Sequence, residues 1–78
     1  MTIAEFNYRL ERLTMISLEK YIREIRTKQA EIMRLCPDLD FNELKSINPE
    51  FADLCEQEGY AITMLAASRA KLEKMPRE

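Results

Sequence analysis

The sequence has no histidine and only one glycine among its 78 residues. Without histidine it lacks the side chain that serves most often as general base and as metal ligand. One glycine and three prolines are too few for a β-sandwich, which needs turn formers every ~8–12 residues. Phosphate-binding loops need several glycines and are excluded for the same reason. We therefore expect neither an enzyme nor a cofactor or metal site.

Long apolar stretches are absent as well. No apolar run approaches the ~20 residues needed to cross a bilayer, and the first residues lack the basic and apolar segments of a signal peptide. The two cysteines, Cys36 and Cys55, do not form a Cys-x-x-Cys motif, and two thiols alone make a poor zinc site. We expect both thiols to be reduced and to pack as small apolar side chains, in a cytoplasmic protein without a membrane anchor.

The composition is that of one small folded domain. Hydrophobic residues make up 46% and charged residues 33% of the sequence, which is too apolar for intrinsic disorder. A chain of this length buries only about 60–65% of its unfolded surface, so the domain is marginally stable by itself. We treat residues 1–78 as a single helical domain.

Residues 3–35 are predicted to form one long amphipathic helix. The segment Thr2–Glu5 has the spacing of a capping box, and no glycine or proline follows until Pro37. Thr and Ser side chains compete for backbone hydrogen bonds, so a kink near Thr14–Ser17 remains an alternative. At ~100° per residue, most large apolar side chains fall within one broad arc. These are Ile3, Phe6, Leu10, Leu13, Leu18, Tyr21, Ile25, Ile32, Leu35 and Cys36.

Residues 36–48 are predicted to form a connector that contains a short helix. Proline disfavours helical backbone in the residue before it, so Pro37 ends the first helix near Leu35. The segment Asp40–Glu43 repeats the capping-box pattern, which predicts a short helix over 41–47. Its apolar residues, spaced three apart, are expected to cover the end of the hairpin: Phe41, Leu44 and Ile47.

A third helix is predicted over residues 49–75. Asn48-Pro49 combines an N-cap side chain with proline at the first helical position, which is a specific start signal. Pro76 is expected to end this helix. The two long helices then form an antiparallel hairpin. A turn near residue 42 would place Cys55 opposite residue 29, well away from the other cysteine, so no disulfide is expected.

One edge of the first helix is expected to remain uncovered by the hairpin. It lies about 100–120° from the centre of the main arc, too far round the helix for one partner helix to reach. A second copy of the chain would cover this edge in a dimeric four-helix bundle. The alternatives are a different helical protein, or a connector helix that folds back over the edge. The residues of this edge are Tyr8, Met15, Ile22 and Met33.

Two charged residues fall within the apolar face of the last helix. Glu58 and Arg69 are eleven residues apart, about 16 Å along a helix, and cannot pair with each other. An unpaired charge on a buried face is costly. Either each residue meets an opposite charge on a partner and fixes its register, or both long side chains reach solvent at the rim.

Acidic residues are concentrated in the middle of the chain. Residues 36–58 hold one lysine and seven carboxylates, a net charge of −6, whereas the segments on either side each carry +2. We predict that Glu50, Asp53 and Glu56 guide a basic partner to this surface. The alternative is that these carboxylates favour helix starts and otherwise lie in solvent.

Basic side chains on the outward face of the first helix make nucleic acid an alternative partner. However, the chain has an isoelectric point of about 5.2, and nucleic acid-binding domains are usually basic. Pairs such as Glu19 and Arg23 also have the spacing of ordinary surface ion pairs on a helix. The basic residues are Arg9, Arg12, Lys20, Arg23, Arg26 and Arg34.

Two short segments resemble the ends of the small enterobacterial haemolysin-expression-modulating regulators. They are Tyr8–Leu13 followed by Leu18-Glu19, and Lys71–Pro76. The middle of the chain is longer than in those regulators and does not match, so the resemblance assigns no role to any residue. In outline the hairpin is also similar to plasmid RNA-binding hairpin dimers and to small secretion chaperones, but a shared fold does not determine function.

The sequence therefore predicts a small helical protein that binds itself or another helical protein through apolar helix faces, as an adaptor, chaperone subunit or inhibitor. The alternative is a small regulator on or near nucleic acid, such as a nucleoid-protein partner or an RNA-binding hairpin dimer. The predicted contact residues are Tyr8, Met15, Ile22, Met33, Glu50, Asp53, Glu56, Glu58 and Arg69.

Overall fold

In the computed structural model, residues 1–75 form three α-helices and no β-strand, which confirms the predicted all-helical class. Helix α1 covers Ile3–Leu35, α2 covers Phe41–Ile47 and α3 covers Pro49–Lys74. Helices α1 and α3 pack antiparallel in a rod of 54 × 16 × 15 Å, and α2 packs on α3 at the closed end. The structure describes residues 1–75, so the predicted helix stop at Pro76 lies outside the described residues.

Side-chain caps set the starts of the three helices. The Thr2 hydroxyl accepts the Glu5 backbone N–H at 3.1 Å and donates to the Glu5 carboxylate at 3.3 Å. In the predicted capping box this carboxylate accepts the Thr2 amide instead. Asp40 and Glu43 form the complete box, with bonds of 2.8 and 3.2 Å. Asn48 Oδ1 accepts a backbone N–H in the first turn of α3 at 3.1 Å.

Helix α1 runs without a break through the segment Thr14–Ser17. The Thr14 hydroxyl donates to the carbonyl oxygen of Leu10 at 3.1 Å, so it bonds within the helix rather than opening it. The helix ends at Leu35, two residues before Pro37, as the proline predicts. The α1 helix is therefore one continuous side of the hairpin.

Helices α1 and α3 meet along a seam whose positions recur at alternating intervals of three and four residues, the pattern of a coiled coil. Its centre is formed by Ile22, Ala61 and Leu65, with Met15 and Leu18 packed against them. The buried or half-buried seam positions are Ala4, Tyr8, Glu11, Met15, Leu18, Ile22, Ile25, Gln29 and Ile32 on α1, and Phe51, Leu54, Glu58, Ala61, Leu65, Ser68 and Leu72 on α3.

This seam differs from the predicted arc of α1. The edge of α1 that was predicted to remain uncovered lies within the seam. Ile22 is buried there, and Tyr8 and Met15 are half-buried. The reason lies on α3, where Glu58 and Ser68 occupy seam positions and need polar partners. Six residues of the predicted arc are instead exposed to solvent: Ile3, Phe6, Leu10, Leu13, Tyr21 and Leu35.

Helix α2 closes one end of the hairpin. Leu44 of α2 and Phe51 of α3 are fully buried, and the Phe41 ring meets Phe51 edge to face with centroids 5.2 Å apart. Ile47 is exposed, so it does not cover this end as expected. Because α2 packs on α3, it does not fold back along the edge of α1.

Candidate interaction surfaces

Two polar pairs lie inside the α1–α3 seam. Gln29 Nε2 donates to Glu58 Oε1 at 3.3 Å and contacts Cys55 Sγ at 3.7 Å. Nearer the open end, the Ser68 hydroxyl donates to Glu11 Oε2 at 2.7 Å. Polar pairs within an apolar seam restrict the register of the two helices. The contact between Cys55 and Gln29 confirms the predicted register of the hairpin.

Glu58 has a counter-charge within its own chain. Arg26 Nε lies 2.7 Å from Glu58 Oε2. This hydrogen bond is the main cause that lowers the pKa of Glu58 below its ordinary value of 4.5; burial opposes the shift, and the bond from Gln29 adds to it. Glu58 therefore does not depend on a partner molecule for an opposite charge.

Arg69 reaches solvent at the rim of the seam. Its Nη2 lies 3.5 Å from Glu19 Oε2, and most of its side chain is exposed. Beyond it, Lys71 Nζ lies 3.7 Å from Glu11 Oε1. An exposed pair such as Arg69–Glu19 contributes between about 0 and 1 kcal/mol to stability. This geometry agrees with the second interpretation of Arg69, in which its long side chain reaches solvent at the rim.

An exposed apolar surface lies on the side of α1 that faces away from α3. We name it the outer stripe; it consists of Ile3, Phe6, Leu10 and Leu13, which expose 81%, 52%, 47% and 60% of their surface. Their spacing of three, four and three residues is that of a second coiled-coil seam. The first half of α1 thus has apolar residues on two sides. The sequence pattern assigned the outer stripe to the main arc and Tyr8 and Met15 to the uncovered edge, whereas the structure exposes the stripe and half-buries Tyr8 and Met15.

The remaining predicted contact residues lie toward the closed end. Met33 is partly exposed on α1. Glu50, Asp53 and Glu56 are exposed on α3, and the ion pairs found among residues 1–75 do not involve them. A shallow groove of about 300 Å³ includes two of these carboxylates. It is lined by Tyr21, Asp53, Glu56, Gln57 and Tyr60.

A longer groove follows the opposite edge of the hairpin, between α1 and α3. It consists of two depressions of about 340 and 410 Å³ that share Arg69. The sequence pattern does not reveal this groove, because its residues come from two helices. We name it the arginine groove. Its floor is Tyr8, Met15, Ile22, Ile62, Leu65 and Leu72, and its rim includes Arg12, Arg23, Arg26 and Arg69.

Within residues 1–75, no three His, Cys, Asp or Glu side chains are grouped so that they could hold a metal ion. Cys36 and Cys55 are free thiols and half-buried rather than fully buried. In this same part of the chain, none of the helices has both the length and the apolar character needed to span a membrane.

Comparisons with protein-family models, with curated proteins and with solved structures find no match to this chain. The resemblance of its two ends to the haemolysin-expression-modulating regulators gains no support from them. The function proposed below therefore rests on the surfaces of the molecule.

Proposed function

We propose that this chain is a non-catalytic helical interaction protein whose outer stripe binds the outer stripe of a second copy. The supporting observation is a row of four apolar side chains, exposed on one helix face at coiled-coil spacing. Contiguous exposed apolar surface of this kind is typical of interaction sites. The two free thiols fit a reducing compartment, so we assign the protein to the cytoplasm.

A second copy fits the stripe because it presents the same spacing over the same length. The hairpin is also small enough to gain from association. One margin of the stripe carries uncharged Asn7 and Thr14, and the other carries Arg9. If the two α1 helices run parallel, Arg9 of one copy lies beside Thr14 of the partner subunit. If they run antiparallel, Arg9 lies beside Arg9 of the partner subunit, and the like charges repel. We therefore propose the parallel arrangement.

The size of the stripe predicts a weak dimer. Four side chains that expose between 47% and 81% of their surface present on the order of 400 Å² per copy. Stable complexes bury roughly 800 Å² per partner. We expect a dimer that forms at micromolar concentrations and dissociates on dilution.

The proposed dimer sets its four long helices in a row, with both α1 helices at the centre. This follows because the outer stripe and the seam lie on opposite sides of α1. The closed four-helix bundle predicted from the sequence uses the edge of Tyr8, Met15 and Ile22. In the hairpin this edge already packs toward α3, so the row is the arrangement that we propose.

Sedimentation equilibrium across the micromolar range tests this proposal. The natural chain should show a mass above that of one chain that falls on dilution. The double variant Leu10→Gln/Leu13→Gln should be monomeric and equally helical by circular dichroism. Leu35→Gln/Ile47→Gln is the matched control, because it removes two exposed apolar side chains at the other end of the rod, and it should still dimerise.

Two results would contradict the proposal. One is a natural chain that stays monomeric at all these concentrations and unfolds cooperatively. The other is a dimer that survives in Leu10→Gln/Leu13→Gln, which would assign self-association to a different surface.

A further inference from the structure

We propose that the arginine groove binds an acidic amphipathic helix of a partner protein. The groove lies between α1 and α3, whereas the outer stripe faces away from α3. It therefore remains open in the proposed dimer, and the two proposals do not depend on each other. The inference rests on the combination of an apolar floor with a basic rim.

The floor of the groove offers anchor sites for apolar side chains. Ile62 exposes 43% of its surface and lies in the depression beside buried Leu65 and Ile22. Farther along, Met15 and Leu72 are half-buried. A groove between two antiparallel helices accepts a third helix, which inserts apolar residues spaced three and four apart. An added helix would complete the apolar layer that two helices leave open.

The rim carries positive charge that the hairpin neutralises only in part. Arg12 and Arg23 are exposed, and the ion pairs found among residues 1–75 do not include them. Arg26 and Arg69 are paired within the chain, yet their side chains remain 61% and 58% exposed. Guanidinium groups bind carboxylates through two parallel hydrogen bonds. A helix with Asp or Glu on both sides of its apolar face would be complementary in charge to this rim.

The lining favours a protein helix over a nucleic acid. Glu19 and Glu73 also line the groove and would repel a phosphate backbone. Single-stranded nucleic acids need a row of aromatic side chains on which bases stack, whereas the lining of this groove includes one aromatic residue, Tyr8. Nucleic acid-binding domains are usually basic, whereas this chain has a net charge of −2.

The test uses a labelled synthetic peptide of about five helical turns, with Leu along one face and Glu on both margins. A second peptide carries Lys in place of every Glu. Fluorescence anisotropy should detect binding of the Glu peptide but not of the Lys peptide. The variant Arg12→Gln/Arg23→Gln should bind about tenfold more weakly, and the difference should shrink as salt is added. Lys20→Gln/Arg34→Gln removes the same charge from α1 outside the groove, and it should bind normally.

Methyl NMR identifies the site that is occupied. The Glu peptide should shift the Ile62 and Met15 methyl signals and leave those of Leu10 and Leu13 unchanged. Equal binding of the two peptides, or equal weakening by the two double variants, would overturn the proposal. So would shifts confined to the outer stripe. Tighter binding of duplex DNA, in competition with the peptide and with the same dependence on Arg12 and Arg23, would assign the groove to nucleic acid.

Discussion

Gln29 on α1 donates a hydrogen bond to Glu58 on α3 across 3.3 Å, at a point where the surrounding seam is apolar. Arg26 holds the other carboxylate oxygen at 2.7 Å. Donors to both oxygens favour the ionised form of a carboxylate in a partly buried position. Together with the Glu11–Ser68 pair, this contact restricts which side of α1 can face α3.

Acid should destabilise the hairpin through Glu58. Its pKa is lowered in the folded state, mainly by the hydrogen bond from Arg26. The resulting stability is fully present above the ordinary value of 4.5 and is lost as the pH falls through the lowered folded-state pKa. Urea denaturation in steps from about pH 6 to pH 3 measures this loss.

Glu58→Gln should remove this part of the pH dependence, because the amide does not titrate. Glu24→Gln, at an exposed position of α1, is the matched control and should keep the profile of the natural chain. If Glu58→Gln and the natural chain lose stability in parallel as the pH falls, another carboxylate is responsible.

Ser68→Ala should lower the free energy of unfolding by about 1–2 kcal/mol, because it leaves the Glu11 carboxylate without its hydroxyl donor in the seam. The 2.7 Å length of this bond and the burial of Ser68 support an effect of this size. Ser17→Ala, on the exposed surface of α1, should change stability little. Equal effects of the two substitutions in urea denaturation would show that the Glu11–Ser68 pair is not stabilising.

Phe51 should be a main support of the closed end. Its side chain is fully buried, so Phe51→Ala should cost about 3–5 kcal/mol and leave much of this small domain unfolded. Phe51→Leu keeps most of the volume and should remain folded at a cost of about 1–1.5 kcal/mol. Phe41→Ala, which truncates the half-exposed ring beside it, should cost less than Phe51→Ala. Thermal melting that ranks Phe41→Ala as the more damaging change would contradict this assignment.

The exposed carboxylates of α3 should contribute to binding rather than to folding. Solvated charges typically contribute less than ~1 kcal/mol per pair. The triple variant Glu50→Gln/Asp53→Asn/Glu56→Gln should therefore melt close to the temperature of the natural chain. Association with a basic protein should become slower and less dependent on salt. Unfolding of the triple variant would make these carboxylates structural, and unchanged binding would leave recognition to the apolar faces.

Helix boundaries and register follow from local signals in the sequence. The caps at Thr2, Asp40 and Asn48, with the proline after α1, predict where the three helices begin and where α1 ends. These signals are readable because a cap or a proline acts on backbone groups within a few residues of itself. The predicted turn near residue 42 is enough to set Cys55 opposite Gln29, because α1 and α3 are continuous helices.

Which side of α1 faces α3 was decided only in the tertiary structure. Over its first half, α1 has apolar residues on two sides, so hydrophobic periodicity does not distinguish the seam from the outer stripe. The side of α1 that forms the seam contains Glu11 and Gln29, so it is the more polar side by sequence. Polar residues are ordinarily expected in solvent. They lie in the seam because Ser68 and Glu58 supply partners from a helix distant in the chain. The arginine groove likewise exists only where α1 and α3 meet, because its floor and its rim each combine residues of both helices.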